Sequence, residues 1–248
     1  GSDATNELSY LCLLARAATR LVYPTVAVAW HEGTPAELTD FGCRMLATGV
    51  GDPAFFNDEL IAAGLADHGV APADRTSYMN STCVEIKVCG ASNIWVTQPY
   101  VNLPKLLLEG MARAATADDG PPEHFEGLLD TVKQRIAEQV AEDAAVMHAN
   151  WRRREKYVGY PLASCVVADC LETGRDFDRG GARYNWVENA FVGLANLTDG
   201  LLAVRELVYQ QRALSLEQFV DVCRADWAGH EELRQRVVQQ MPCYGTDD

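Results

Sequence analysis

The sequence contains no long apolar run and no excess of positive charge. Its 248 residues include 21 Lys and Arg against 35 Asp and Glu, which gives a formal net charge of −14. A membrane-spanning helix needs about 20 consecutive apolar residues, and no stretch of this sequence approaches that length. Binding to nucleic acid or to an anionic membrane surface requires a basic footprint. The composition therefore argues against nucleic-acid and membrane partners.

Cysteines spaced as C-x-x-C are missing as well. The sequence has eight cysteines, none separated from another by two residues, so the usual zinc and thioredoxin-like patterns are absent and we expect no bound metal. Their density is below that of a disulfide-stabilised scaffold. Most are expected to be buried small apolar side chains, like Cys165 within the apolar run 163–167. Thiols used in this way favour a reducing, cytoplasmic location.

The sequence shows no signal peptide, no internal repeat and no low-complexity segment. Gly1 and Ser2 resemble a cloning remnant, and residues 1–5 are expected to be a tag-like, disordered start. Residues 6–248 are expected to form a single domain. A hydrophobic content of 48% and a charged content of 23% are typical of a globular protein, and this length allows a sizeable core.

Helical periodicity dominates the chain. It predicts helices over 6–21, 35–49, 58–69, 103–115, 123–151, 160–172, 198–212, 215–225 and 230–240, and a helical turn over 72–80. Thr34 with Glu37 and Ser215 with Gln218 have the spacing of capping boxes. Short β-like runs occur only at 25–30 and 81–88. Widely separated strands joined by helices favour parallel pairing, so we predict an α/β fold dominated by helices, with few parallel strands and too few to close a barrel alone.

The pattern Cys83-Val84-Glu85 is the strongest candidate for chemistry. In an extended backbone, residues two apart project from the same face, so a thiol and a carboxylate would share one pocket. Such a pair suits hydrogen abstraction by sulfur next to proton removal by the carboxylate. The spacing also occurs by chance, and the alternative is a buried cysteine beside a surface glutamate.

Several longer segments give Cys83 a context. In chain order they are TGVGDPAFFNDELI, STCVEIKVCG, NLPKLLLEG, YPLASCVVADCLETGRDFDRGGARYNW, VGLANLTDGLLAVRELVY and CYGTDD. Together they resemble the glycyl radical enzymes, the family of pyruvate formate-lyase and the radical diol dehydratases, from about Tyr23 to Asp248. The resemblance is closest to the dehydratase and decarboxylase branch, where the cysteine loop reads G-C-V-E.

The resemblance implies an α/β barrel that encloses two opposed loops, of which this chain would supply one part. Cys83 resembles the cysteine that becomes a thiyl radical, and Glu85 resembles the general base. A small-molecule substrate would lose a hydrogen atom and then a leaving group or carbon dioxide. The chain would bind no cofactor itself, because the family stores its radical on a glycine, where a radical SAM activase installs it. That activase is the implied protein partner, and a homodimer is left open.

Four further residues are candidates, and the sequence departs from the family pattern around three of them, Thr97, Tyr100 and Glu188. Thr97 stands where the radical diol dehydratases have an aspartate, which argues against vicinal-diol dehydration, and Tyr100 follows it by one turn. The arylacetate decarboxylases of the family use a second active-site carboxylate, and Glu188 is a candidate for that group. His31 follows the first β-like run and would line the barrel mouth. The alternatives are packing for Tyr100, an exposed loop position for Glu188, and a capping or surface role for His31.

The radical-storing motif, R-V-x-G followed by an aromatic residue, is not found. The nearest match, Arg236-Val237-Val238-Gln239, has no glycine and falls in a predicted helix. The sequence thus resembles the middle of a glycyl radical enzyme, without the glycyl radical domain. Two other interpretations stay open, namely one component of a split enzyme that needs a glycyl-domain partner, and a non-catalytic binding or assembly domain derived from the family.

Overall fold

A computed structural model of the chain describes residues 3–21, 23–80, 85–93, 100–241 and 243–244, with the backbone alone at position 80. The helices in this part of the chain are α1 (Glu7–Thr19), α2 (Ala36–Ala47), α3 (Asp58–Asp67), α4 (Leu103–Ala115), α5 (Phe125–Tyr157), α6 (Pro161–Ser164), α7 (Cys170–Thr173), α8 (Leu194–Val204), α9 (Leu216–Arg224) and α10 (Glu231–Gln240). The strands are β1 (Ala27–Trp30), β2 (Ala54–Asn57), β3 (Tyr78–Asn80), β4 (Ile86–Val88), β5 (Tyr100–Asn102) and β6 (Ala190–Val192). A 3-10 turn covers Phe177–Arg179, and a π-helical turn covers Arg205–Gln210.

The described strands form three separate pairs. β1 pairs with β2 and β5 with β6, both in parallel, whereas β3 and β4 are antiparallel. A parallel connection needs a crossover of about a dozen residues or more, and the short segment 81–85 between β3 and β4 cannot provide one. The predicted helix-dominated α/β fold with few strands is confirmed, and the expected parallel pairing holds for two of the three pairs. The strands in the described ranges do not close a barrel.

The chain divides into two compact units. The first comprises Gly1–Val96 and Tyr157–Trp186, and the second comprises Thr97–Lys156 and Val187–Asp248. This division does not test the predicted single domain over residues 6–248. In neither unit does a described helix combine the length and the apolar character that a membrane span requires.

The first unit has three small clusters of buried side chains. α1 packs on α2 through Leu13, Leu38 and Met45, beside a buried ion pair between Arg16 and Asp52. A second cluster surrounds the β3–β4 pair, and its buried members are Leu65, Val70, Val88 and Ala91. A third lies under α6 and α7 and consists of Val167, Cys170, Phe177 and Ala182. The β3–β4 pair therefore rests on its own apolar base.

The second unit has one continuous core built by α4, α5, α8 and α9. Its most deeply buried members include Val101, Leu106, Leu128, Val132, Val204 and Leu207. α4 approaches α5 closely at Gly110, where an added Cβ would lie 2.8 Å from Val132 Cγ2. Full burial of one such aliphatic side chain contributes roughly 1.5–3 kcal/mol relative to exposure, so this core accounts for much of the unit's stability.

One predicted capping box forms and the other does not. Ser215 forms the predicted box with Gln218 at α9. At α3, where the sequence leaves the cap open between Asn57 and Asp58, Asn57 caps the helix by accepting a hydrogen bond from the Leu60 amide at 3.0 Å. The expected box at Thr34 is wrong, since α2 begins after Pro35 with no side-chain cap. The Thr34 hydroxyl instead accepts a hydrogen bond from the His31 amide at 3.0 Å.

Three other segments differ from the sequence prediction because of pairing elsewhere in the chain. The expected helical turn at 72–80 ends in strand β3, which β4 holds in place. The expected helix 160–172 divides into α6 and α7, between which Asp169 adopts a left-handed φ of 71°. The expected irregular stretch before residue 198 contains β6, and α8 consequently begins at Leu194.

Candidate functional site

The β3–β4 pair brackets the segment that contains Cys83. Tyr78 pairs with Val88, Met79 with Lys87 and Asn80 with Ile86, so residues 81–85 join the two strands. Cys83 itself lies outside the described residues. Glu85, the last residue of this connection, is described and is partly buried. The thiol and the carboxylate that the sequence singles out therefore both fall in the connection between two paired strands.

A tight turn follows β4. Gly90 adopts a left-handed φ of 63°, which lets the Ala91 and Ser92 amides both donate to the Val88 carbonyl at 3.1 Å. The Ser92 hydroxyl lies 3.2 Å from the Val88 amide, from which it accepts a hydrogen bond. Val88 is only 2% exposed. The end of β4 is thus fixed by backbone and side-chain bonds and by burial.

The chain after this turn pairs with residues 184–186. Ser92 and Tyr184 form a parallel bridge, in which the Tyr184 amide donates to Ala91 O and the Asn93 amide donates to Tyr184 O, both at 3.0 Å. The Asn93 side chain, 2% exposed, extends the pairing. Its Nδ2 donates to Trp186 O at 3.1 Å, and its Oδ1 accepts from the Trp186 amide at 3.2 Å.

A polar cluster anchors the same segment from the other side. The Tyr184 hydroxyl donates to Asp74 Oδ2 at 2.7 Å and accepts from the Ala71 amide at 3.0 Å. Arg183 donates to both carboxylate oxygens of Asp169, at 2.8 and 3.2 Å, and approaches Asp74 at 3.4 Å. The hydrogen bond from Arg183 lowers the pKa of Asp169, and the same bond raises the pKa of the guanidinium. Asp169 therefore stays ionised and keeps Arg183 in place.

His31, a predicted substrate-binding residue, belongs to a local turn of the first unit. Its Nδ1 accepts a hydrogen bond from the Gly33 amide at 3.0 Å, and its own amide donates to Thr34. This geometry agrees with the capping alternative that the sequence left open. No described contact assigns His31 a role toward a substrate.

Tyr100 and Glu188 lie in the second unit, whereas Thr97 lies outside the described residues. Tyr100 begins β5 and pairs with Ala190 of β6 in a parallel register. Glu188 precedes Ala190 by two residues, so the topology brings it to the same end of the pair as Tyr100. Tyr100 is 67% exposed, and Glu188 is partly buried. Their roles in binding and catalysis stay predictions.

The second unit also holds an apolar cavity of about 190 Å³ between α4, α8, α9 and α10. The aromatic side chains in its wall are Phe219 and Trp227. The Asp199 carboxylate also lines it and accepts a hydrogen bond from the Tyr244 amide at 2.6 Å. Of the predicted site residues that the structure describes, none lines this cavity. Over the described ranges, no cluster of His, Cys, Asp and Glu has the composition of a metal site.

Sequence reasoning missed Asn93, Tyr184 and Asp74. Their partners are far apart in the chain: Trp186 lies 93 positions after Asn93, and Tyr184 lies 110 positions after Asp74. The one available signal was the segment GGARYNW, whose polar and aromatic residues stand in a stretch that the sequence assigned to irregular structure. An aromatic-rich stretch without helical or strand periodicity is the pattern of a segment held by tertiary contacts.

Comparison with known proteins identifies the family. The family model described as pyruvate formate lyase-like matches residues 1–248. The chain therefore belongs to the pyruvate formate lyase-like family. Its relatives include glycyl radical dehydratases, as the segments around Cys83 led us to expect.

Three relatives illustrate the similarity. The chain is 30% identical, over 99% of its length, to the probable dehydratase YbiW of Escherichia coli K12, and 30% identical, over 100%, to the (2S)-3-sulfopropanediol dehydratase of Klebsiella oxytoca. It superposes over 100% of its length, with a TM-score of 0.79 and 29% identity, on a glycyl radical enzyme from Archaeoglobus fulgidus. The chain spans 32% of each curated relative and 33% of the solved structure, so it corresponds to about a third of such an enzyme.

Proposed function

We propose that this chain provides the cysteine-loop part of a glycyl radical enzyme that removes a leaving group or carbon dioxide from a small molecule. The observation that carries the proposal is the position of Cys83-Val84-Glu85 between β3 and β4 in a chain that matches the pyruvate formate lyase-like family from end to end. The family match makes the chance occurrence of a C-x-E pattern a poor explanation. The antiparallel pair places both ends of this segment next to each other.

The proposed chemistry divides between the two side chains. The Cys83 thiyl takes a hydrogen atom from a substrate carbon, which re-forms the S–H bond and leaves an unpaired electron on that carbon. The radical centre makes a neighbouring O–H or N–H proton more acidic, and the Glu85 carboxylate takes that proton. The leaving group then departs with the electron pair of its bond to carbon and takes up the proton held by Glu85. Return of the hydrogen atom from Cys83 to the product radical completes the turnover.

Cys83 would receive its unpaired electron from a glycyl radical that a radical SAM activase installs. A glycine radical next to a thiol requires an apolar, water-free enclosure, and the described part of the hairpin fits this, since Val88 and its neighbours form a buried apolar base. The barrel that completes the enclosure is proposed on the strength of the family. The activase, the small-molecule substrate, a glycyl-domain partner and a homodimer are proposed as partners on the same ground.

The remaining candidates would serve the substrate. We assign Glu188 as a second carboxylate and Tyr100 as a binding residue because both lie at the same end of the β5–β6 pair. Thr97 would replace the aspartate of the radical diol dehydratases and shift preference away from vicinal diols. His31 is the weakest of these assignments, since its ring already closes a local turn.

A second function has to be distinguished from this proposal. Arg236-Val237-Val238-Gln239, the nearest match to the radical-storing motif, lies within α10, where its backbone is helical rather than a loop tip. The described part of the chain thus has no counterpart of the glycine loop. A family-derived domain that binds or assembles without catalysis, or a component of a split enzyme, is the alternative. A neighbouring gene for a radical activase or for a glycyl-domain protein would favour catalysis.

Substitution of the two loop residues tests the proposal. The enzyme assembled with its activase and glycyl segment is assayed anaerobically on a panel of small hydroxylated compounds that begins with trans-4-hydroxy-L-proline and includes the diol (2S)-3-sulfopropanediol for comparison. Cys83→Ser should abolish turnover, because a serine O–H bond is much stronger than a thiol S–H bond and a carbon-centred radical cannot abstract its hydrogen. Glu85→Gln should slow turnover by about 10²–10⁴-fold, the usual cost of losing a positioned base. Neither change should lower the glycyl radical signal.

Two matched substitutions serve as controls. Cys89→Ser alters an exposed cysteine just beyond β4, and Glu172→Gln alters an exposed glutamate of α7; both should leave turnover near the parent value. A fully active Cys83→Ser enzyme would exclude the proposed function. Equal activity of all four variants would favour the non-catalytic alternative.

A further inference from the structure

The β3–β4 hairpin is too small to be stable by itself. Each strand has three residues, and the sheet has two strands. An isolated two-stranded hairpin is at best marginally stable in water. Contacts with residues outside the hairpin must therefore hold β3 and β4 at a fixed spacing.

Tyr184 contacts the chain on both sides of the hairpin. Its backbone pairs with Ala91 and Asn93, which follow β4, and its hydroxyl bonds to Asp74 and to the Ala71 amide, which precede β3. The base of the hairpin is also closed directly by the Cys89 amide, which donates to Ser77 O at 2.8 Å. Tyr184 thus joins the segment before β3 to the segment after β4, at the end of the hairpin opposite residues 81–85.

Asn93 adds a second contact between the segment after β4 and residues 184–186. Its carboxamide takes the place of a backbone peptide, since it donates to the Trp186 carbonyl and accepts from the Trp186 amide. Asparagine suits this role because its short side chain offers a donor and an acceptor without charge. The rings of Tyr184 and Trp186 also stack, with centroids 6.0 Å apart. This contact stabilises the two residues to which the segment after β4 is hydrogen-bonded.

We propose that Asn93 and Tyr184 are positioning residues that hold the base of the hairpin closed and thereby fix β3 and β4, the two strands that the segment with Cys83 and Glu85 connects. The functional half of this inference rests on the proposed function of Cys83 and Glu85. The structural half does not, because it concerns only the described strands and their partners. Neither side chain is assigned contact with a substrate.

Hydrogen–deuterium exchange on the 248-residue protein tests the structural half. Tyr184→Phe keeps the ring and its stacking but removes the two hydrogen bonds of the hydroxyl. Asn93→Asp keeps the size and the Oδ1 acceptor but replaces the Nδ2 donor with an oxygen that faces the Trp186 carbonyl. In both variants, amides in peptides covering 85–93 should exchange about tenfold faster or more, as expected for the loss of at least one hydrogen bond. Amides of α4, in the second unit, should be unaffected.

Tyr209→Phe is the matched control, because it removes a hydroxyl that has no hydrogen-bond partner in the described structure. It should leave exchange in 85–93 unchanged. Unchanged exchange in both Tyr184→Phe and Asn93→Asp would overturn the inference, whatever the enzyme's activity. If one variant fails to fold, which loss of its native circular dichroism would show, the other decides the question.

Kinetics on the assembled enzyme test the functional half. Tyr184→Phe should lower kcat about tenfold or more with little change in KM and an unchanged glycyl radical signal, since misplaced reacting groups slow chemistry more than binding. A kcat equal to the parent value would overturn the positioning role. If the proposed function is wrong, the Cys83→Ser enzyme will be fully active. The conclusion from hydrogen–deuterium exchange would still hold in that case.

Discussion

The two tyrosines at positions 184 and 209 show how much one hydroxyl depends on its surroundings. The Tyr184 hydroxyl has a donor and an acceptor within 3.0 Å. The Tyr209 ring packs edge-to-face on Phe125 with centroids 5.9 Å apart, and its buried hydroxyl finds no hydrogen-bond partner in the described part of the chain. A buried polar group without a partner costs about 1–3 kcal/mol. The same chemical change should therefore have opposite effects at the two positions.

We expect Tyr209→Phe to stabilise the protein by about 1 kcal/mol, because it removes the desolvation cost of an unpartnered hydroxyl and keeps the ring contact. Tyr184→Phe should destabilise it by about 1–2 kcal/mol through the loss of two hydrogen bonds. Urea denaturation at pH 7, with equal m-values as a check on the unfolded state, measures both differences. A Tyr209→Phe protein less stable than its parent would mean that the hydroxyl has a partner after all.

Tyr209 should also make stability sensitive to alkali. Burial raises its pKa above the ordinary value, so its neutral form is favoured in the folded state. This contribution is fully present below the pKa of the unfolded state, near 10, and is lost as the pH rises through the folded-state pKa. The stability advantage of Tyr209→Phe over the parent should therefore grow above pH 10. An advantage that stays constant from pH 8 to 11 would contradict this reasoning.

At the level of single residues, the sequence identifies the chemistry but not its support. Cys83 and Glu85 stand two apart in one segment, so a local pattern is enough to single them out. Asn93 and Tyr184 act through partners about a hundred residues away, and no local pattern contains that information. A side chain that substitutes for a backbone peptide can be recognised only once the two segments are seen side by side.

Among the secondary-structure elements, local signals in the sequence predicted the starts of helices better than they predicted the strands. The side-chain oxygens of Asn57 and Ser215 cap their helices by accepting hydrogen bonds from backbone amides three residues later. Such local caps are specified by the sequence. β2, β3, β5 and β6 were missed, since strands of three or four residues are too short to show a period. Their pairing partners lie on separate segments, and tertiary contacts decide their conformation.

Two glycines within helices should respond in opposite ways to alanine. At Gly110 of α4, an added Cβ would lie 2.8 Å from Val132 Cγ2 and 3.1 Å from Val132 Cα, and a backbone atom of α5 cannot move aside cheaply. Overpacking of this kind costs about 1–3 kcal/mol, more than the gain of up to about 1 kcal/mol in helix propensity. We expect Gly110→Ala to lower the free energy of unfolding by about 1–2 kcal/mol.

Gly64 of α3 is the matched position, since nothing lies within 4 Å of an added Cβ there. Gly64→Ala should raise the free energy of unfolding by about 0.5–1 kcal/mol through helix propensity alone. Denaturant titrations of both variants measure the two effects. If Gly110→Ala is as stabilising as Gly64→Ala, the close approach of α4 to α5 is not a determinant of stability.

At the scale of the whole molecule, the family explains why a chain of ordinary composition shows so little closed architecture. Its 248 residues correspond to about a third of the relatives' length. Large apolar side chains are exposed on several elements, among them Leu8 and Leu11 of α1, Leu162 of α6 and Phe191 of β6. Composition and periodicity gave the fold class, but the sequence could not give the arrangement of strands, because the partners in two of the three described pairs lie on separate segments of the chain.

These 248 residues have no glycine in the radical-storing motif of the family. Of the 19 glycines in these 248 residues, none follows an Arg-Val-x pattern, and the nearest match ends in Gln239 within α10. A glycyl radical forms only at a glycine whose α-carbon the activase can reach, and a helical glutamine meets neither condition. Anaerobic treatment of a polypeptide of these 248 residues with a radical SAM activase should therefore give no glycyl doublet in paramagnetic resonance. The (2S)-3-sulfopropanediol dehydratase of Klebsiella oxytoca, treated alongside with its own activase, is the positive control. Addition of a separate polypeptide that carries an R-V-x-G motif should restore the doublet and, with Cys83 intact, turnover; a doublet from the 248 residues alone would show that the radical is stored at a site without the family motif.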